Sequence, residues 1–98
     1  MSEYALGLRR SFEFRRIEDG ATYRFDREAG GEPPRWRRTD LELWCRLRTD
    51  DGWVIVDNDC QVLGWPVDSV PDAPLPPAGR WKSAKAGKSY DYELVYLD

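Results

Sequence analysis

Three stretches of this chain carry residue types at spacings that chemistry can use. Ala86-Gly87-Lys88-Ser89 has the ending of a phosphate-cradling loop. The full pattern needs a glycine five residues before Gly87, where Lys82 stands, and a strand–loop–helix setting. The next residues, Tyr90-Asp91-Tyr92-Glu93, alternate as a strand does, so the stretch reads as a basic turn. Asp57-Asn58-Asp59-Cys60-Gln61 offers oxygen ligands at alternate positions, as a calcium loop would, but the obligatory glycine falls on Val62 and the bidentate glutamate on Asp68. A hairpin turn accounts for it better. Asp50, Asp51, Asp57 and Asp59 could furnish paired carboxylates for acid–base work. They fall in turns at opposite ends of one strand, about 13 Å apart at ~3.3 Å per residue, whereas glycosidase pairs sit roughly 5–10 Å apart.

The chain has no histidine. That removes Ser–His and Cys–His nucleophile pairs, histidine general bases and every histidine-containing metal site. Cys45 and Cys60 alone cannot complete a structural zinc site. The sequence therefore assigns no catalytic, cofactor-binding or metal-ligating residue and points to a non-enzyme.

Contact chemistry is better represented. Arg35-Trp36-Arg37-Arg38 and Arg80-Trp81-Lys82 interleave aromatics with cations, and Arg9, Arg10, Arg15 and Arg16 add two more basic pairs. Such alternation suits an anionic protein partner, because Trp and Arg are favoured in interface hot spots. It also suits single-stranded nucleic acid, where rings stack on bases and guanidinium groups hold phosphates. The structural alternative is that Trp36 and Trp81 cover the ends of a small barrel while the cations pair with the chain's acidic residues. Trp44 falls beside Arg46 and Arg48 on one strand face, opposite Leu43 and Cys45. That face is either covered by a second layer or presented to another chain.

The elements that must position these residues are strands. Leu41, Leu43, Cys45 and Leu47 alternate with Glu42, Trp44, Arg46 and Arg48, a period of two. Thr49-Asp50-Asp51-Gly52 supplies a turn. Trp53-Val54-Ile55-Val56 is an unbroken run suited to burial on both faces, and Asp57-Asn58-Asp59 turns into Cys60–Trp65 before Pro66. This predicts a three-stranded antiparallel meander centred on Trp53–Val56. Upstream, Ser11–Ile17 reads as a strand with an aromatic face (Phe12, Phe14) bracketed by Arg10 and Arg16. It pairs as a hairpin with Thr22–Asp26, which carries Tyr23 and Phe25 on one face. Tyr4–Leu8 is a further candidate strand start, and Glu28–Pro34 is a loop. After Pro66 the chain is proline-rich to residue 78 and reads as a surface crossing. Arg80-Trp81-Lys82 comes next, then a loop over Ser83–Ser89 and a final strand from Tyr90 to Leu97, placed to close a sheet against an early strand.

No segment carries helical periodicity beyond one short turn. The expectation is a single all-β domain over residues 1–98, an antiparallel meander of 6–7 strands forming a small open barrel or a two-sheet sandwich. The net charge of −3 argues against non-specific nucleic-acid binding. No run of ~20 apolar residues is present to span a membrane, and MSEYALGLRR lacks the form of a secretory leader, so a cytoplasmic protein with reduced thiols is expected. The first functional reading is a small accessory protein, self-associating as a homodimer or binding another protein. Its contact surface would be Arg35, Trp36, Arg37, Arg38, Trp44, Arg46, Arg48, Arg80, Trp81 and Lys82. The alternatives are single-stranded nucleic-acid binding and a small-molecule pocket inside an aromatic-lined barrel.

Overall fold

The computed structural model describes residues 10–29, 33–68 and 73–97. The candidate strand start at Tyr4–Leu8, and Arg9 of the first arginine pair, lie outside them. Eight strands and no helix occur among the described residues: β1 (Ser11–Arg16), β2 (Thr22–Arg27), β3 (Trp36–Arg38), β4 (Trp44–Arg48), β5 (Gly52–Val56), β6 (Val62–Pro66), β7 (Gly79–Lys85) and β8 (Lys88–Tyr96). Every strand pairs antiparallel with its sequence neighbour, and β8 returns to β1, with Phe14 opposite Leu94, to close the barrel. The expected meander is β4-β5-β6, with Trp53–Val56 buried along its whole length. No described helix is long and apolar enough to cross a membrane.

Two expectations are corrected, and both raise the strand count from the 6–7 expected to eight. Arg35–Arg38 holds a three-residue strand, with Phe25 opposite Arg38 on one side and Trp36 opposite Cys45 on the other. Ser83–Ser89 is not a loop. The ladder between β7 and β8 runs unbroken from Gly79 opposite Leu94 to Lys85 opposite Lys88. Ala86 and Gly87 turn the chain with φ of 53° and 79°, the paired positive dihedrals of a tight hairpin whose twist matches that of its strands.

Alternation along the strands fills the interior. Phe12, Phe14, Phe25, Trp36, Cys45, Trp53, Ile55, Trp81 and Leu94 form one buried cluster. Phe12 stacks on Phe25 with ring centroids 5.1 Å apart, and Phe14 meets Trp81 at 5.2 Å. An eight-stranded barrel is just wide enough to be packed by its own side chains or to hold one small molecule. This one divides that choice between its two ends. At the first, Trp36 packs edge-on against Trp53 at 5.7 Å, and residues 73–77 of the proline-rich crossing fold over the opening. The indole N–H of Trp53 donates to the Ala73 carbonyl at 2.9 Å, that of Trp81 to Pro77 at 2.8 Å, and the Tyr96 hydroxyl to Pro76. Pro76 is fully buried. The crossing is thus a plug rather than only a surface strap, and it closes this end.

Candidate ligand cavity at the open end of the barrel

The opposite end is ringed by the β1–β2 turn, the 39–43 connection, the β5–β6 turn and the Ala86–Gly87 turn. Here the side chains leave a cavity of about 210 Å³. Its aromatic wall is Phe14, Tyr23, Phe25, Trp81, Tyr90 and Tyr92, and its aliphatic wall Leu41, Leu43, Ile55 and Leu63. Gly64 lines it too. A β-carbon there would lie 3.2 Å from Ile55 Cγ1 and 3.3 Å from the Lys82 carbonyl oxygen, tighter than ordinary contact. A bulge in β6 brings it about: the register against β5 shifts between Ile55, opposite Gly64, and Val56, opposite Val62. The extra residue, Leu63, also reaches the lining.

The polar part of the lining is cationic. Arg38 and Lys85 border the cavity with Ser83, Lys82 comes to it through its backbone carbonyl beside Gly64, and among the described residues no carboxylate borders it. Arg38 shares the strand face of Trp36, and its side chain is only 15% exposed. Its guanidinium sits 4.0 Å from the Tyr23 ring centroid and donates two hydrogen bonds to Asp40, which hold the Asp40 carboxyl below its usual range. Arg16 is held the same way at the rim. It lies 4.8 Å from the Tyr90 ring and 5.7 Å from that of Tyr23, and it donates twice to Asp19 at 2.9 Å. Two cations thus already cover faces of the rim tyrosines, each with a carboxylate attached.

The expected contact surface is dispersed by this arrangement. Trp36 and Trp81 are 0% and 1% exposed and belong to the core, because the strand alternation turns both indoles inward. They are not surface contacts. Arg35 pairs with Glu28 at 2.6 Å, Arg37 with Glu42 at 4.0 Å, Arg48 with Asp51 at 3.4 Å and Arg80 with Asp91 at 3.3 Å. Trp44 and Arg46 lie on the outer face of β4 and are half-buried. The Arg37 guanidinium lies 5.8 Å from the Trp44 ring. Their cross-strand neighbours Val56 and Val54 are each only 2% exposed, so that face is not open there. Of the ten residues, Arg38, Trp81 and Lys82 are brought together, at the cavity.

Among the described residues no cluster of His, Cys, Asp and Glu gathers as a metal site. Both cysteines are free, Cys45 buried and Cys60 exposed. Comparison with protein-family models, curated proteins and solved structures gives no match. The cavity has to speak for itself.

Sequence reasoning overlooked Lys85, Gly64, Leu41 and Ser83 as cavity residues. A signal for the rest was present: an aromatic face ending in Arg16 on β1, Tyr23 and Phe25 together on β2, and the Tyr90–Tyr92 row on β8.

Proposed function

We propose that the protein binds a small, largely apolar molecule in the open end of its barrel, by enclosure and without bond-making. The observation that carries this reading is the asymmetry of the two ends. One is sealed by the proline-rich plug and its three side-chain-to-carbonyl hydrogen bonds, while the other leaves about 210 Å³ lined by aromatic rings. Concave, mostly apolar sites with a few convergent polar groups are the usual form of small-molecule sites. An apolar cavity of about 150 Å³ accepts benzene, so this one suits a body of one or two fused rings. The protein-contact and nucleic-acid readings are less supported, since Trp36 and Trp81 are interior and Arg35, Arg37, Arg48 and Arg80 each lie against a carboxylate.

Thermal denaturation in the presence of naphthalene derivatives tests the proposal, because a ligand that binds only the folded state must raise its stability. The control is Ser83→Phe, which places a ring in the cavity from an inward-facing position beside Tyr90. A rise in Tm for the wild-type chain that disappears in S83F supports the site. An equal rise in both proteins would place binding elsewhere, and no rise with any derivative would remove the proposal.

A further inference from the structure

Granting that the open end is a small-molecule site, we infer that its ligand is a compact aromatic monoanion, with its rings against Trp81 and Phe14 and its charge at Lys85. Four observations converge on this class. The cavity accepts one or two rings by volume. One of its walls is six aromatic rings, which favours a flat molecule stacked against it. Its polar border holds Arg38 and Lys85 and, among the described residues, no carboxylate; Lys82 alternates to the outer face of β7, opposite Asp91. Finally, the cations differ in what they already hold. Arg38 is engaged by Asp40, and Arg16 by Asp19, so each carries its own counter-charge. Lys85 lines the cavity two residues after Ser83 on the same face of β7. It has no carboxylate partner among the described residues, and across the ladder it meets Lys88, another cation.

An aromatic cation would be the natural competitor, since tyrosine faces attract positive charge. Here Tyr23 and Tyr90 each already hold a cation on one face: Arg38 lies 4.0 Å from Tyr23, and Arg16 lies 4.8 Å from Tyr90. A second cation would meet like charge. A carboxylate or sulfonate instead gains a charge-assisted bond from the Lys85 ammonium, with the Ser83 hydroxyl placed to donate a second. A neutral ligand leaves that lysine unused.

The test compares three probes of one shape: 2-naphthoate, 2-naphthamide and 2-naphthylmethylammonium. Each is titrated calorimetrically into the full chain, Lys85→Gln and Ser83→Phe. Lys85 is exposed on the strand, so its variant keeps the fold, which far-UV circular dichroism confirms. In the wild-type chain 2-naphthoate should bind about tenfold more tightly than the amide, and only its affinity should fall as salt rises. In K85Q the acid should weaken to within about threefold of an unchanged amide. If the amide or the ammonium binds as tightly as the acid, or if K85Q leaves the gap intact, the assignment of an anion to Lys85 is overturned. Amide binding that S83F abolishes would still uphold the cavity in those cases. Failure of all three probes would overturn the cavity itself.

Discussion

Cys45 and Cys60 lie on opposite sides of the same meander and meet different chemistry. Cys45 faces the aromatic core, and burial pushes its thiol well above the ordinary value. Cys60 sits exposed in the β5–β6 turn with φ of 61°. The thiolate is the reactive form, so a thiol reagent at neutral pH should modify one cysteine per native chain quickly and the second only on unfolding. Cys60→Ser should abolish the fast phase. Asp19 gives a second residue-level expectation. Two hydrogen bonds from Arg16 and one from the Ala21 backbone N–H bring its carboxyl down from 3.8 to about 2. A depressed value means that the folded chain prefers the carboxylate. Its stabilising effect is therefore complete above the ordinary value and is lost as pH falls through about 2. The gap in denaturation midpoint between wild type and Asp19→Asn should be present near pH 6 and close progressively below about pH 4. Because the pair is exposed, added salt should narrow that gap. A gap independent of pH would show that the asparagine perturbs the turn rather than the charge.

Among the elements, the β7–β8 hairpin shows how a strand can hide from pattern reading. Lys82, Ala84, Lys85, Lys88 and Ser89 are exposed or lie at the rim, so no apolar alternation marks them. The cross-strand ladder with Tyr90, Tyr92 and Leu94 makes them strand. β3 hides for another reason. Three residues are too few to show a period, and the two arginines after Trp36 suggest a surface, until closure of the barrel turns Arg38 inward beside Phe25. The longer elements were legible: Phe12/Phe14, Tyr23/Phe25 and Trp53–Val56 each announce a buried face, and the last strand was expected to pair with an early one. The choice between an open barrel and a two-sheet sandwich was not legible, and the closed ring of strands decides it. The cavity was only half legible. Its aromatic wall can be read residue by residue, but the empty volume depends on the register shift at Ile55/Val56 that presents Gly64, which no single strand encodes. Ala86 offers a test at this scale. As a residue with a β-carbon held at φ 53°, it carries a backbone cost of roughly 1 kcal/mol. Ala86→Asn, which makes the Asn-Gly pair favoured in such turns, should stabilise the chain by about 0.5–1 kcal/mol in denaturant unfolding. A loss of stability would contradict the turn geometry.

For the whole molecule, closure and asymmetry are linked. Pairing β8 with β1 leaves no open edge in the sheet, which blunts association through exposed strand edges. The aromatic residues inside the ring pack differently at its two ends. The proline-rich crossing resolves one end by supplying carbonyl acceptors to Trp53, Trp81 and Tyr96. Removing the hydroxyl in Tyr96→Phe leaves the Pro76 carbonyl without that donor and should cost about 0.5–1.5 kcal/mol, with faster proteolytic nicking in the crossing as its local signature. The same division predicts where a ligand is felt. Trp81 is the indole with a part in both regions, touching the cavity with its ring and the plug with its N–H. Trp53 donates to the plug without lining the cavity. Two-dimensional NMR of the indole N–H groups during titration with a naphthalene derivative should therefore move the Trp81 signal most and the Trp53 signal least. Resonances of Tyr23, Tyr90 and the Gly64 amide should shift with Trp81. A ligand that entered from the other end would have to pass the Trp53–Ala73 bond and would move Trp53 first. The order of those two signals decides which end of the barrel is the door.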